Sequence, residues 1–188
     1  MKELSLHLLD IAENSVSAQA RNITIEVVED TRKDLLQLSV EDDGRGMEPA
    51  MIARITDPFV TSRTTRKVGL GIPLLKAAAE ACNGHFSIQS QPGVGTRVQV
   101  TFQRSHIDRM PLGDLASTML TLVIGSPEVH WVFRYIVDEE EFVFDDEPIK
   151  KELQDIPLCE PIILNYIRDF LTEGIQRIKP KNDSFILR

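Results

Sequence analysis

Several things are scarce in this chain of 188 residues. Its two cysteines, Cys82 and Cys159, stand apart with no CxxC pair and no histidine cluster beside them. That excludes a disulfide framework and a zinc site of the usual ligand spacing. No apolar run approaches the roughly 18 residues of a membrane span. The opening stretch MKELSLHLLDIAENS carries acids and polar residues where a signal peptide is apolar. A cytoplasmic protein with no membrane association is therefore expected. Basic excess is missing too, since the formal net charge is −8. Nonspecific nucleic-acid binding depends on neutralising phosphates, so no direct nucleic-acid contact is expected. Internal repeats and low-complexity tracts are absent.

What remains is an ordinary globular composition, 42% hydrophobic and 27% charged. The length suits one solid domain, or one domain plus a small appendage. Charge is unevenly placed. Residues 1–104 are close to neutral, whereas residues 105–188 carry 9 Lys and Arg against 16 Asp and Glu. The asymmetry suggests two parts with different jobs.

Residues 3–19 have helical spacing: Leu4, Leu8, Ile11, Ser15 and Ala18 recur, and His7, Asp10, Asn14 and Ser17 form a polar strip beside them. NITIEVVE (22–29) and LLQLSVED (35–42) read as a hairpin. A short helix with Pro49 in its first turn follows at 48–55. Residues 57–71 have no clear period and read as a mobile loop. A helix over 72–84 stops at Asn83-Gly84, and two strands flank the turn PGVG. Beyond Arg104 the pattern predicts a helix over 111–125, a hairpin over 130–146 and helices over 147–154 and 161–178. The tail KPKNDSFILR reads as loose, and the run Asp138-Glu139-Glu140-Glu141 as a solvated turn. Trp131, Phe133 and Tyr135 share one strand face, which is expected to be core.

Four stretches offer chemistry. Asp10 and Asn14 are four apart and share a helix face. A carboxylate there can orient or deprotonate a water, and an Asn oxygen is a hard ligand suited to Mg²⁺. Taken alone, the pair is an ordinary polar face. Asp42-Asp43-Gly44-Arg45-Gly46 follows a strand. A carboxylate at that strand end can accept from an exocyclic amine, and glycines let backbone and ligand come close. The alternative is a plain Asp-Gly turn. Gly69-Leu70-Gly71 opens a helix whose free N–H groups attract phosphate, with Arg63, Arg66 and Lys67 upstream. Thr96 adds a hydroxyl at the base of the last hairpin.

The order of these four signals resembles the GHKL ATPases, the superfamily of gyrase, the heat-shock chaperone, histidine kinases and MutL. DIAENSVSA looks like the N box, EDDGRGM like the G1 box, and DPFVTSR…VGLGI like the lid and G2 segment of histidine kinases. SQPGVGTRVQVTF looks like the closing hairpin of a kinase ATP domain. The resemblance covers roughly residues 3–103. It implies an α+β fold, a two-layer α/β sandwich of the Bergerat type over 1–104, with a small C-terminal α+β extension over 105–188. It also implies ATP and Mg²⁺. By position, Asn14 would hold the metal, Asp42 would read adenine, and Thr96 would support it. Gly44, Gly46 and Met47 would border the nucleotide. Gly69, Leu70 and Gly71 would let the lid wrap the phosphates, near Arg63 and Lys67. Asp10 falls where gyrase and MutL place a glutamate general base. It is one methylene shorter. The strand that precedes the N box in kinase domains has no counterpart here, so either the sheet is smaller or the C-terminal hairpin replaces that edge.

Three functions fit. One is a protein kinase acting in trans on His or Ser of a partner, as stand-alone kinase-like anti-sigma factors do. Another is a MutL-like ATPase switch that changes shape or forms a homodimer on binding ATP. The third is a nucleotide-sensing module without catalysis. SHIDRMPLGDL (105–115) also resembles the phosphoacceptor box SHELRTPL of histidine kinases, which makes His106 a candidate acceptor, with Asp108 as its orienting acid. The competing reading puts His106 in a turn leading into a helix.

Overall fold

The computed structural model describes residues 3–56, 71–154 and 156–180. Its elements are α1 (Leu4–Ser17), β1 (Asn22–Asp30), β2 (Leu35–Asp42), α2 (Pro49–Thr56), α3 (Gly71–Ala81), β3 (Phe86–Gln91) and β4 (Gly95–Gln103). After these come α4 (Leu115–Gly125), β5 (His130–Val137), β6 (Glu140–Asp145), α5 (Glu147–Leu153) and α6 (Pro161–Ile178). The expected elements are present with shifts of a few residues at their ends. Two shifts have clear causes. The helix predicted over 111–125 starts at Leu115, because Pro111 and Leu112 spend their carbonyls on the N–H groups of Leu4 and Ser5. Asp114 then caps the helix, accepting from Ser117 N–H at 2.9 Å. The helix predicted over 72–84 ends at Ala81, where Asn83 takes a positive φ of 55° and Gly84 N–H returns to the Ala79 carbonyl.

All six strands form one sheet in the order β3-β4-β2-β1-β5-β6. Every contact is antiparallel except β1 with β5, which run parallel in register from Asn22 opposite His130 to Glu29 opposite Val137. The C-terminal hairpin thus fills the β1 edge. Alternation sends Ile23, Ile25, Val27, Leu36, Leu38, Val40, Val98, Val100 and Phe102 to one face, all buried. Trp131, Phe133 and Tyr135 continue that face at 0–1% exposure. Leu4, Leu8 and Ile11 of α1, Leu75 of α3, Met119 of α4 and Leu171 of α6 close over it as the second layer. The opposite face is polar: Arg134 bridges Glu26 and Glu141 at 2.8 and 2.7 Å.

One buried polar network sits at the sheet end away from Asp42. Glu29 is 2% exposed; it accepts from Tyr135 Oη at 2.6 Å and from Arg104 Nε at 2.8 Å. The charge is tolerable there because both carboxylate oxygens are bonded. The acidic β5–β6 turn is more than solvated. Asp138 accepts from the N–H and hydroxyl of Thr31, which joins the β1–β2 turn to it.

Candidate functional site

Strand alternation separates the two adjacent acids. Asp42, the last residue of β2, faces the helices, and Asp43 faces away. Ser15, in the last turn of α1, donates its hydroxyl to Asp42 Oδ2 at 2.5 Å. Gly44 N–H donates to Oδ1 at 2.9 Å. Both oxygens are fixed, each with lone-pair capacity left for a further donor. Thr96 stands opposite Asp42 in the β2–β4 register. Ser90 ties this corner together. Its hydroxyl donates to the Gly95 carbonyl, accepts from Met47 N–H at 2.8 Å and lies 2.8 Å from the Thr96 hydroxyl.

Gly46 has φ +66°, and a Cβ there would lie 2.0 Å from the Gln91 carbonyl oxygen. The space it leaves is taken by the β3–β4 hairpin. The glycine locks the loop that carries Asp42 against the strand pair that carries Thr96.

Asp10 and Asn14 share the face of α1 that borders α3. Asn14 is exposed and Asp10 half-buried. At the first residue of α3, a Cβ on Gly71 would lie 1.8 Å from Asp10 Oδ2. The carboxylate therefore rests on the N-terminal end of that helix, whose unpaired N–H groups favour negative charge. Arg63, Lys67, Gly69 and Leu70 lie outside the described residues.

Asp43 has a different task. It accepts from Arg21 N–H, Asn22 N–H and Asn22 Nδ2 at 2.7–2.9 Å. Burial works against its charge, but these bonds outweigh that and hold its carboxyl below the ordinary value. Asn22 Oδ1 lies 3.0 Å from His130 Nδ1, and His130 Nε2 lies 2.9 Å from Asp145. A chain of side chains thus runs from the loop beside Asp42 across β1 and β5 to β6. Nothing in the motif signalled it, because its central link joins Asn22 to His130 across 108 positions.

His106 is not brought to this corner. It follows β4, whose last residue Gln103 pairs with Leu35, the far end of β2 from Asp42. Seven strand steps of about 3.3 Å put the two ends roughly 23 Å apart. The His106 ring accepts from Asp108 N–H at 3.2 Å, and the Asp108 carboxylate is 4.0 Å from the same nitrogen. Sequence reasoning also missed Ser15, counted there with the apolar stripe, and Ser90.

For Mg²⁺ the donor set fits. Asn14 offers an exposed hard oxygen one turn from Asp10, and Mg²⁺ takes its remaining ligands from phosphates and water. Among the described residues, the group spaced to share an ion is His130, Asp145 and Asp146, which does not include Asn14. Its acids are already engaged: Asp146 accepts from Trp131 N–H at 3.0 Å and pairs with Lys150 at 2.6 Å. A groove of about 480 Å³ also reaches Asp42 and Thr96, but Thr24, Glu41, Gln89 and Arg97 line it from the face away from the helices.

This corner, an acid at a strand end held by a helix serine and facing a hairpin threonine, sits at one end of an α/β sandwich. Residues 2–106 match the family of Histidine kinase-, DNA gyrase B-, and HSP90-like ATPases, and the chain belongs to it. It is 42% identical over 89 residues to the sensor protein kinase FleS of Pseudomonas aeruginosa, covering 47% of this chain and 22% of that one. It is 33% identical over 111 residues to the Non-motile and phage-resistance protein of Caulobacter vibrioides, covering 54% and 13%. The chain thus spans about a fifth or less of these relatives. Among solved structures, the Aquifex aeolicus MutL ATPase domain complexed with ADP shares the fold, with TM-score 0.55 and 14% identity over 93% of this chain and 70% of that one. That likeness runs past residue 106, so it takes in the C-terminal strands and helices. Among the described residues no helix is long and apolar enough to cross a membrane.

Proposed function

We propose that this chain is a cytoplasmic ATP-binding signalling regulator that passes the γ-phosphoryl group of ATP to a hydroxyl of a partner protein. The observation that carries the reading is the Asp42 carboxylate, fixed by Ser15 and Gly44 opposite Thr96. An acceptor so placed suits the amine of adenine. Asn14 would hold Mg²⁺, which when bound neutralises phosphate charge.

Asp10 decides between acceptors. A neutral imidazole attacks phosphorus through a lone pair and needs no base. A hydroxyl must lose its proton, and Asp10, whose Oδ2 rests against Gly71, would take it. The oxygen of the acceptor then bonds to the γ-phosphorus, the bond to the bridging oxygen breaks, and ADP leaves with that electron pair. The same geometry serves water equally, which supports a second reading as a MutL-like ATPase switch that forms a homodimer with ATP. His106, at the other end of the sheet, does not suit transfer within one chain.

The test is incubation with γ-labelled ATP and Mg²⁺, following protein-bound label and free phosphate for the wild type, Asp10→Asn and His106→Ala. Free phosphate lost in Asp10→Asn supports the water reading. Measurable ATP binding with neither signal until a partner is added supports the transfer reading. Acid-labile label lost in His106→Ala would overturn both, and absence of ATP binding would sink the assignment of Asp42.

A further inference from the structure

The strand β6 stands last in the sheet order, and among the described residues its strand neighbour is β5 alone. The two pair antiparallel from Val137 opposite Glu140 to Val132 opposite Asp145. One step further on, Asp146 N–H donates to the Trp131 carbonyl. Bonds in an antiparallel pair alternate, so Glu140, Phe142 and Phe144 spend their backbone groups on β5, and Glu141, Val143 and Asp145 turn theirs outward. Such an outer row of N–H and C=O groups is a template for one more strand.

The helix layer supplies the second half of a site. A Cβ on Gly174 would lie 2.1 Å from the Phe142 ring, so α6 seats directly on β6. Ile167 and Leu171 seal its inner face. Ile162, Tyr166 and Phe170, each four apart, line another face and are 84%, 58% and 41% exposed. Tyr166 stacks on Phe170 with ring centroids 6.3 Å apart, and Phe170 reaches Phe142 and Phe144 at 5.5 and 6.2 Å. The aromatic row therefore starts in the core under β6 and continues out past the edge. A groove of about 330 Å³ opens there, lined by Phe142, Val143 and Phe170 and closed at one end by Glu173 and Arg177.

Charge selects the occupant. The strand reads EEFVFD, and Glu173 adds a fourth acid beside the groove. Glu140 and Glu173 make no ion pair among the described residues. Glu141 shares Arg134 with Glu26. A second copy of the chain, pairing through β6, would bring the same three strand acids to this edge, and like charges across a strand pair are destabilising. We propose that the β6 edge docks an extended, basic segment of a partner protein as a seventh strand. Such a strand would lie about 4.8 Å outside β6. Its main chain would bond to Glu141, Val143 and Asp145, its apolar side chains would cover Phe170 and Tyr166, and lysines or arginines at the alternate positions would meet the acids. The inference is independent of the ATP-site reading, and its test uses no nucleotide.

The probe is the acetylated peptide Lys-Val-Lys-Val-Lys-Val-Lys, titrated into the full chain and followed by ¹⁵N NMR, with Glu-Val-Glu-Val-Glu-Val-Glu as control. At saturation with the basic peptide, the amides of Glu141, Val143 and Asp145 should exchange with solvent about tenfold more slowly or better, while those of Phe142 and Phe144, already bonded to β5, stay as they are. Val143→Pro deletes one outward N–H at a position where an edge strand accepts proline; it should weaken peptide binding about tenfold and leave Tm within about 4 °C. Tyr166→Ala alters an exposed side chain and keeps the test valid should Val143→Pro fail to fold; it should weaken binding about threefold to tenfold. Equal binding of both peptides, binding of neither, or wild-type affinity in Tyr166→Ala overturns the proposal. Two results would name another occupant and overturn it as well. One is peptide binding strengthened about tenfold by removal of residues 181–188, which would assign the edge to the chain's own tail. The other is a nucleotide-free dimer in sedimentation whose Glu141 and Val143 amides are protected before any peptide is added.

Discussion

Asp42→Asn separates recognition from folding. The change keeps the shape and replaces one carboxylate oxygen by an NH₂ group. In the wild type Oδ1 accepts from Gly44 N–H at 2.9 Å and Oδ2 from Ser15 Oγ at 2.5 Å. The Asn oxygen can keep the Gly44 bond. Its NH₂ group then faces Ser15, whose hydroxyl can turn to donate to the Ile11 carbonyl, 3.4 Å away. The fold therefore loses the charge-assisted part of two bonds, about 1 kcal/mol, and Tm falls by about 2–4 °C for a chain of this length. The loss to ATP is larger. A donor of the ligand now meets a donor of the protein, which removes a charged hydrogen bond and leaves two amines face to face. That is about 2–4 kcal/mol, or roughly 30- to 1,000-fold in Kd. GTP, with an acceptor oxygen where adenine has its amine, should lose far less, so the preference for ATP over GTP narrows. Calorimetric titration with both nucleotides, beside a thermal melt, reads all three numbers. Unchanged ATP affinity with unchanged Tm would refute Asp42 as the adenine reader; a collapsed fold would refute the account of how Ser15 and Gly44 hold it.

Gly46→Ala should destabilise by about 2 kcal/mol or more, since a Cβ there meets the Gln91 carbonyl at 2.0 Å and the residue holds φ +66°; a chemical melt within 0.5 kcal/mol of wild type would contradict this. Tyr135→Phe strips one bond from buried Glu29 while Arg104 remains, a cost of about 1–3 kcal/mol that urea unfolding will read. Stability should fall on acidification. The carboxyls of Asp34 and Asp114 are held below their ordinary values, chiefly by bonds from Ser105 and Ser117 respectively. Their contribution is whole above the unfolded carboxylate pKa near 4 and is lost as pH drops through the lower folded values, so Asp114→Ala should flatten the acid side of a Tm-against-pH curve. Cutting the chain after residue 104 would strip β1 of its eight-residue pairing with β5 and uncover the face that Trp131 and Phe133 complete, so the fragment should aggregate or melt without cooperativity. A monomeric fragment with a sharp melt would support residues 1–104 as a domain in their own right.

The local elements were readable because their signals are local. Period 3.6 gave α1 and α6, and period 2 gave β1, β2 and β5. Alternation also put Trp131, Phe133 and Tyr135 on the buried face. It could not say what they pack beside, since alternation fixes a face and not a neighbour; the parallel partner β1 lies more than a hundred residues away. Site residues with a chemical signature, Asp10, Asn14 and Asp42, stood out by resemblance. Ser15 did not, because a serine inside an apolar stripe looks like a neutral spacer until the carboxylate it serves is placed beside it. Glycine spacing signalled close approach correctly at Gly46 but not what approaches, which is the Gln91 carbonyl. His7 was visible as part of a polar strip, but only burial reveals that one of its nitrogens lacks a partner among the described residues.

The parallel pairing of β1 with β5 also sets a clock. Asn22 and His130 are 108 positions apart. Contacts so distant in sequence form late, because a long loop must close before they return anything. At roughly 5–20 residues per second, β1 leaves the ribosome about 5–20 s before its partner strand exists. During that interval the nascent chain holds the motifs of an ATPase on a sheet with one flank open. The complete sheet is then acquired only after β5 has been made, and holding chaperones are the natural guardians of the wait.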